Sequence, residues 1–402
     1  MISVVILKRT KTNNAKTLTT EETTTGIIVT TKAEPTTTST TTTTSATATT
    51  ATTIRKWTIT GNMNVARKHH TASTLANGYV LVTGGLSDSA TLNSAELYNP
   101  STGTWTMTGN MSVPRACHTA STLKNGDVLV TGGINGVHMK CAPNSIALKI
   151  AELYNSLRGT WTITRNMNVV RKYHTALTLA NGYVLVAGGY FSNGLNFVAL
   201  NSTELYNPLR GTWTTMGSMN VARVFYTAAT LANGSVLVAG GYFSNGLHFP
   251  ELNSTELYNP LRGTWAMTGN MNVGRKYHTA STLANGSVLV TGGLRGSAAL
   301  RSAELYNPST GTWTTTRNMD ITRFFHTAST LADGSVLVAG GEIFHDYLDR
   351  AEFYNPLTDT WTTTGLMNVE RKYHTASTLA NGLVLVTGGE NSAGALNSAE
   401  FY

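Results

Sequence analysis

Seven arginines recur along the chain, and the second residue after each of them carries a side chain suited to binding or chemistry. The arginines are Arg67, Arg115, Arg171, Arg223, Arg275, Arg323 and Arg371. The second residues after them are His69, Cys117, Tyr173, Phe225, Tyr277, Phe325 and Tyr373. Aromatic rings stack against ligands, and imidazole and thiol groups also bind metals. These positions, with Lys68, Lys172, Lys276 and Lys372 beside them, are the first candidates for a functional site.

A second set of aromatic residues follows Gly-Gly pairs in the middle of the chain. The segments 134–150, 190–201 and 242–253 are the longest of their kind and carry Tyr190, Phe191, Phe197, Tyr242, Phe243 and Phe249. Aromatic residues on variable loops commonly form interaction surfaces. We therefore predict that Tyr190, Phe191, Tyr242 and Phe243 bind a protein or glycan partner. The alternative is that these rings pack the loops onto one another.

The residues that position both sets form a repeat. The arginines are spaced by 48, 56, 52, 52, 48 and 48 residues, and Gly-Gly, Glu-x-Tyr and Trp recur in step with them. A period of about 50 residues is typical of a propeller or a solenoid. The repeat begins near Trp57 and continues to Tyr402.

Each copy contains four segments with the composition of β-strands. In the first copy these are HTASTL (70–75), YVLVTGG (79–85), AELYNP (95–100) and TWTMTG (104–109). The dipeptide Asn77-Gly78 predicts a tight hairpin between the first two. No segment shows a sustained helical period. The sequence therefore predicts an all-β fold in which each copy is one blade of four antiparallel strands.

The two ends of the array predict how the ring closes. The array opens with an isolated outer strand near 56–61, and its last copy, 371–402, stops after a third strand. Pairing these two would complete the last blade and cover two sheet edges that otherwise invite aggregation. We therefore predict a seven-bladed propeller over residues 54–402, closed by an N-terminal strand.

Arg67 and Glu96 begin the first and third strands of their copy, and strand alternation places them on the same face. Both recur seven times at one period. This pattern predicts a repeated buried ion pair with an architectural role.

Residues 1–53 have a different composition. They are rich in Thr and poor in large apolar residues, so we predict a disordered tail or linker. The chain has a formal charge of +8, but its basic residues follow the repeat and form no stripe, which argues against nucleic acid as a partner. No run reaches the roughly 18–20 apolar residues of a membrane span. The short apolar patch 4–7 lacks the features of a signal peptide.

The order Gly-Gly, Glu-x-Tyr, Trp resembles the Kelch-repeat superfamily over residues 57–402. The resemblance implies a propeller in which the second residues after the arginines lie at the mouth of the central channel. These include His69, Tyr173, Phe225, Tyr277, Phe325 and Tyr373. It also implies that ligands bind on this face, which is formed by the loops between blades and the loops after Gly-Gly. We therefore expect a non-catalytic, monomeric binding scaffold without a cofactor.

The chain also resembles the propeller of the copper radical oxidases, the galactose oxidase family. That resemblance implies an alternative: a degenerate or truncated enzyme that binds copper, with Cys117 and Tyr173 as the crosslinked pair and Tyr373 and His374 as ligands. His at the third position after the arginine recurs in six of the seven copies. His374 is therefore also explained as a feature of the repeat.

The two cysteines of the chain, Cys117 and Cys141, support a third interpretation. Both fall in the second blade, and a disulfide between them would imply an oxidising compartment. Five Asn-x-Ser/Thr sequences, at Asn110, Asn201, Asn233, Asn253 and Asn285, agree with this. An extracellular location is thus favoured over the cytoplasm, while bridge, thioether and free thiols remain alternatives.

Overall fold

The computed structural model describes residues 6–9, 24–27, 56–136, 145, 147–192, 197–243 and 250–402. The chain divides into two units, Met1–Arg55 and Lys56–Tyr402. In the first unit the strands Ile6–Arg9 and Thr24–Ile27 pair antiparallel. The predicted disorder of residues 1–53 stays a prediction, because the rest of that unit lies outside the described residues.

The second unit consists of seven four-stranded antiparallel sheets, each forming one blade. The innermost strands of blades one to seven are Thr71–Thr74, Thr119–Thr122, Thr175–Thr178, Thr227–Thr230, Thr279–Thr282, Thr327–Thr330 and Thr375–Thr378. The second strands are Val80–Thr83, Val128–Thr131, Val184–Ala187, Val236–Ala239, Val288–Thr291, Val336–Ala339 and Val384–Thr387. The third strands are Ala95–Asn99, Ala151–Asn155, Thr203–Asn207, Thr255–Asn259, Ala303–Asn307, Ala351–Asn355 and Ala399–Phe401. The outer strands of blades one to six are Thr104–Met107, Thr160–Ile163, Thr212–Met216, Thr264–Met267, Thr312–Thr315 and Thr360–Thr363.

The outer strand of blade seven comes from the beginning of the array, as predicted. Thr58–Ile59 pairs antiparallel with the third strand Ala399–Phe401 of blade seven. The amide of Thr60 extends the pairing by donating to the carbonyl of Ala399 at 3.0 Å. Each innermost strand lies against those of the two adjacent blades, and that of blade seven lies against that of blade one. The seven-bladed all-β propeller is therefore confirmed.

The hydrophobic core consists of layers between adjacent blades. One layer joins Leu75 and Leu81 of blade one to Val128, Val130 and Tyr154 of blade two, all of them buried. The second strand of every blade is buried along its whole length, because both of its faces meet a neighbouring blade. Small Thr, Ala and Ser side chains near the axis and large Tyr and Trp side chains farther out match the widening space between blades.

Within the ranges that the structure describes, four blades carry a short extra hairpin after Gly-Gly. These hairpins pair Tyr190–Ser192 with Phe197–Ala199, Leu294–Arg295 with Ala298–Ala299, Glu342–Ile343 with Asp346–Tyr347, and Glu390–Asn391 with Gly394–Ala395. Among the residues that the structure describes, no helix is long and apolar enough to cross a membrane.

Candidate interaction site

The loop that enters each blade is held by a buried ion pair. In blade one, Nη2 of Arg67 lies 2.7 Å from Oε1 of Glu96, and both side chains are fully buried. The same pair occurs in the other blades, as Arg115–Glu152, Arg171–Glu204, Arg223–Glu256, Arg275–Glu304, Arg323–Glu352 and Arg371–Glu400. The predicted series of buried ion pairs is confirmed in all seven blades.

The ion pair also satisfies backbone groups of the loop. Nη1 of Arg67 donates to the carbonyl of Gly84 at 2.8 Å. Glu96 accepts the amides of Asn64 and Val65 at 2.6 and 3.0 Å. Burial lowers the pKa of the Arg67 guanidinium, and its hydrogen bond and attraction to Glu96 oppose that change. One charged pair therefore fixes the loop between blades to the Gly-Gly turn and to the third strand.

The second residue after each arginine forms a ring around the axis, which we call the collar. Its members are His69, Cys117, Tyr173, Phe225, Tyr277, Phe325 and Tyr373, and all have a left-handed backbone with φ between 52° and 57°. This conformation costs an L-residue about 1–2 kcal/mol. Backbone amides bridge adjacent blades here: His69, Cys117 and Tyr173 each donate to the carbonyl of the preceding collar residue at 3.2–3.3 Å.

The collar side chains stack on one another around most of the ring. Adjacent ring centroids lie 3.9–4.5 Å apart from Tyr173 through Phe225, Tyr277, Phe325 and Tyr373 to His69. Burial, with the nearby charges of Lys68 and Lys372, lowers the pKa of His69 to about 3. Burial raises the pKa of Tyr173 well above its usual value. The collar is therefore an uncharged aromatic surface at neutral pH.

Three of the four lysines beside the collar pair with carboxylates from the loops after Gly-Gly. Lys372 lies 2.6 Å from Glu342 and 3.7 Å from Glu390, and Lys68 also pairs with Glu390. Lys276 pairs with Glu251 at 2.9 Å. The fourth, Lys172, is fully buried. It donates to the carbonyl of Ser145 and lies 5.8 Å from the centre of the Tyr190 ring. Burial lowers its pKa to about 8.

The aromatic residues predicted to bind in blades three and four differ in how deeply they are buried. Tyr190 is 4% exposed and packs on Ala199 and Val224, so it supports the surface from below. Tyr242 lies beside the collar, 5.7 Å from the ring of Phe225. Phe191 and Phe243 are half-buried, and the side chain of Phe197 and all of Phe249 lie outside the described residues. A binding role for these positions stays a prediction.

The recurring histidines join adjacent blades. His374 is buried, and its Nε2 lies 2.9 Å from Oγ1 of Thr327 in the preceding blade. His70, His118, His174, His278 and His326 make the same kind of contact. Burial lowers the pKa of His374 to about 3, assisted by the charge of Arg371.

A copper centre of the kind implied by the oxidase resemblance does not fit this arrangement. Nε2 of His374 is occupied by Thr327, and Tyr373 is stacked in the collar. Within the described residues, no group of three or more His, Cys, Asp or Glu side chains is placed to hold a metal ion. Cys117 and Tyr173 are adjacent in the collar, where the Tyr173 amide donates to the Cys117 carbonyl at 3.2 Å.

The candidate disulfide between Cys117 and Cys141 cannot be followed to its second residue. Cys117 is 8% exposed and packs with Leu86, Ala116 and Ile134. Cys141 lies outside the described residues, so the pairing stays a prediction.

Sequence reasoning missed two features of the collar face. The left-handed backbone of the collar could not be predicted from glycines, because none occurs at these positions, although their regular spacing is clear in the sequence. Glu342 and Glu390 were also missed as partners of the lysines. They occupy the position directly after Gly-Gly, where Tyr190 and Tyr242 stand in other blades. Comparing the copies at that position would have identified them.

Comparison with known proteins gives a family match over more than half of the chain. The family model described as the KLHDC2/KLHL20/DRC7 Kelch-repeats domain matches residues 173–389, and a Kelch motif matches residues 67–112. Kelch-like protein 36 of Rattus norvegicus is 34% identical over 125 residues, covering 31% of this chain and 19% of that protein. An F-box/kelch-repeat protein of Arabidopsis thaliana is 34% identical over 146 residues, covering 34% of this chain and 37% of that protein.

A solved structure shares the fold. A fungal alcohol oxidase of the AA5 family, in complex with copper, superposes with a TM-score of 0.70 at 20% sequence identity. The superposition covers 87% of this chain and 76% of the oxidase. At that identity the likeness concerns the fold alone. The matches to the two curated relatives span less than two fifths of the length of those proteins.

Proposed function

The chain belongs to the Kelch-repeat family, and from this premise we propose that it is a non-catalytic interaction module that binds a protein partner on the collar face. The partner contacts blades three and four, where the half-buried Phe191 and Phe243 directly follow Tyr190 and Tyr242. This assignment rests on one observation: Tyr242, which directly precedes the half-buried Phe243, lies 5.7 Å from the collar ring of Phe225, and that ring stacks on Tyr173. Aromatic residues in such positions dominate the binding energy of protein interfaces.

The charges on this face support a polypeptide ligand with apolar side chains. Lys68, Lys276 and Lys372 are each paired with a carboxylate. A strongly acidic or basic partner would have to break these pairs, whereas an apolar side chain displaces only water from the aromatic rings. The same argument disfavours catalysis by acid and base at the collar, where burial lowers the pKa of His69 far below neutral.

The test uses a double variant, Phe191→Ala with Phe243→Ala. Tyr190 is left in place because it is buried. Peptides are selected from a displayed random library against the unmodified protein, and their affinities for both proteins are measured by calorimetry. We expect the double variant to lose at least about tenfold in affinity, the effect of removing a well-placed aromatic anchor, with an unchanged melting temperature.

Phe344→Ala is the matched control, because Phe344 is an exposed aromatic residue in the loop after Gly-Gly of blade six. The control should retain full affinity. Equal affinity of the double variant and the control contradicts the assignment to blades three and four. Binding of members of a glycan array, lost in the same double variant, would replace the protein partner by a glycan. A crosslink between Cys117 and Tyr173 seen by mass spectrometry after copper addition would contradict the non-catalytic assignment.

A further inference from the structure

We use joint for the place where the outer strand of one blade leads into the next. The joint between blades five and six combines three charged residues that no other joint has together. Where the outer strand of one blade leads into the next, most copies have Gly, but this joint has Arg317. Three residues later most copies have Asn, but this joint has Asp320. The turn before the outer strand has Gly in blades one to five, but Asp359 in blade six. Arg317 and Asp320 are three residues apart, and Asp359 follows 39 residues after Asp320. The backbone amide of Arg317 contacts the Asp359 carboxylate.

Four of the other joints bring two glycines together: Gly61 with Gly103, Gly109 with Gly159, Gly217 with Gly263, and Gly269 with Gly311. Between blades four and five, the amide of Gly269 donates to the carbonyl of Gly311 at 3.0 Å. A Cβ atom on Gly269 would lie 2.2 Å from that oxygen. The Gly109–Gly159 joint is built in the same way, with a bond of 3.1 Å. Any residue larger than glycine therefore forces such a joint apart.

Arg317 has a Cβ atom, and the joint between blades five and six uses a different contact. The Arg317 amide donates to the carboxylate of Asp359 at 3.2 and 3.3 Å. Asp359 keeps the left-handed backbone of the glycines it replaces, with φ of 51°, and also accepts the hydroxyl of Tyr354. A side-chain carboxylate thus takes the place of the backbone carbonyl.

An open cavity of about 500 Å³ lies between the two blades at this joint. Its lining residues are Thr316, Arg317, Asn318, Asp320, Thr360 and Trp361. None of them belongs to the collar. The volume is within the range of small-molecule sites, roughly 300–1,000 Å³.

The wall of the cavity is held in place. Nε1 of Trp361 donates to the carbonyl of Arg317 at 2.8 Å, and its ring packs on Tyr354 at 5.0 Å. One oxygen of Asp320 accepts the hydroxyl of Thr363 at 2.9 Å. The side chains of Arg317 and Asp320 are exposed to the cavity's solvent.

We propose that this cavity binds a carbohydrate, as a free sugar or as a unit of a glycan. Arg317 and Asn318 supply donors, Asp320 and the threonines supply acceptors, and the indole of Trp361 supplies an apolar face. Because a guanidinium and a carboxylate line the same small space, a ligand with net charge of either sign meets a like charge. A neutral ligand with many hydroxyl groups and an apolar ring face satisfies the whole lining.

The chain contains its own comparison site. The joint between blades two and three also has an arginine, Arg165, but keeps Asn168 and Gly211 in place of the two aspartates. The indole of Trp213 donates to the Arg165 carbonyl at 2.7 Å, as in the proposed site. The joint at Arg165 therefore has the arginine and the tryptophan of the proposed site but lacks a carboxylate at the position of Asp320.

The experiment is saturation-transfer NMR with the methyl glycosides of glucose, galactose and mannose, and with glucuronate and glucosamine as charged counterparts. Two variants restore the residues of the other copies, Asp320→Asn and the double Arg317→Gly with Asp359→Gly. Because these residues occur at the same positions elsewhere in the propeller, the variants should fold. Arg165→Gly is the matched control.

We expect at least one neutral glycoside to bind the full chain with a dissociation constant in the millimolar range and the charged counterparts to bind more weakly. Both restoring variants should lose about tenfold or more in affinity, and the control should lose nothing. A glycan array distinguishes a free sugar from a glycan unit: stronger binding of oligosaccharides indicates the latter. Binding of no neutral glycoside, or binding unchanged in both restoring variants, overturns the proposal. It leaves the proposed protein-binding function of the collar face intact, because no collar residue is altered.

Discussion

The buried ion pairs and the collar lie two residues apart in the same seven loops, yet they differ in how much they vary. The arginine and the glutamate are the same in every blade, and their separation stays between 2.6 and 2.9 Å. The collar carries His, Cys, Tyr and Phe on one repeated backbone conformation. The invariant pairs hold the backbone, so the collar side chains are free to differ from blade to blade without changing the fold.

We use frame for the buried Arg–Glu pairs and the buried histidines that join adjacent blades. The largest expected loss of stability comes from acid, which protonates these histidines. Burial lowers the pKa of His118, His278 and His374 to about 3. Since an unfolded histidine has a pKa near 6.5, the unfolded chain binds more protons below that pH. Stability is therefore complete above pH 6.5 and decreases as the pH falls toward 3, by about 1.4 kcal/mol per pH unit for each histidine.

Between pH 6.5 and 3 these three histidines together remove roughly 14 kcal/mol of stability, which is comparable to a typical total of about 5–15 kcal/mol, so we expect cooperative unfolding within this pH range. Circular dichroism against pH checks it. A fold that persists at pH 3 contradicts the assignment of neutral, buried histidines.

The second prediction removes one charge of the frame. Arg275→Met leaves Glu304 buried without its cation and should lower the free energy of unfolding by about 3–5 kcal/mol, measured by urea titration. Arg295→Met is the control, because Arg295 is an exposed arginine of the same blade. Equal stability of the two variants would show that the ion pair has no role in holding the loop.

The third prediction concerns ion pairs on the collar face. Replacing Glu342 and Glu390 by Gln removes both partners of Lys372 and should cost only about 1–2 kcal/mol, because Lys372 keeps some contact with water. The melting temperature at low and high salt checks it, and the loss should shrink as salt increases. Asp346→Asn, at an exposed acid of the same hairpin, should change nothing. A loss of stability as large as that of Arg275→Met would show that the ion pairs on the collar face matter as much for folding as the buried Arg–Glu pairs.

The smallest effect is a gain in stability. The hairpin of blade six turns through Phe344 and His345, which have φ of 46° and 76°, where Asn-Gly is the favoured pair. Phe344→Asn with His345→Gly should raise the free energy of unfolding by about 1 kcal/mol because it relieves two left-handed residues. Calorimetry measures it. A decrease would show that the exposed Phe344 ring makes a stabilising contact.

The repeat itself made much of the fold predictable. Trp57, Gly84-Gly85 and the Arg67–Glu96 pair recur seven times, and each copy confirms the others, so the blades, the closing strand and the buried pairs follow from the sequence. Other features were not predictable. The left-handed collar depends on loop geometry imposed by neighbouring blades, and the burial of Tyr190 depends on how adjacent loops pack. The cavity beside Arg317 brings together the segments 316–320 and 360–361, about forty positions apart in the chain, and its charged residues Arg317 and Asp320 belong to no recognisable motif.

The closure of the ring by Thr58–Ile59 has a consequence for how such a protein diversifies. An open stack of repeats lengthens by one unit at a time, because its last unit always presents a free side. A closed ring has no such side, and adding or losing a blade changes the angle between every pair of neighbours. Differences between blades therefore arise inside the seven existing positions, through single substitutions such as Asp320 and Asp359 or through longer loops.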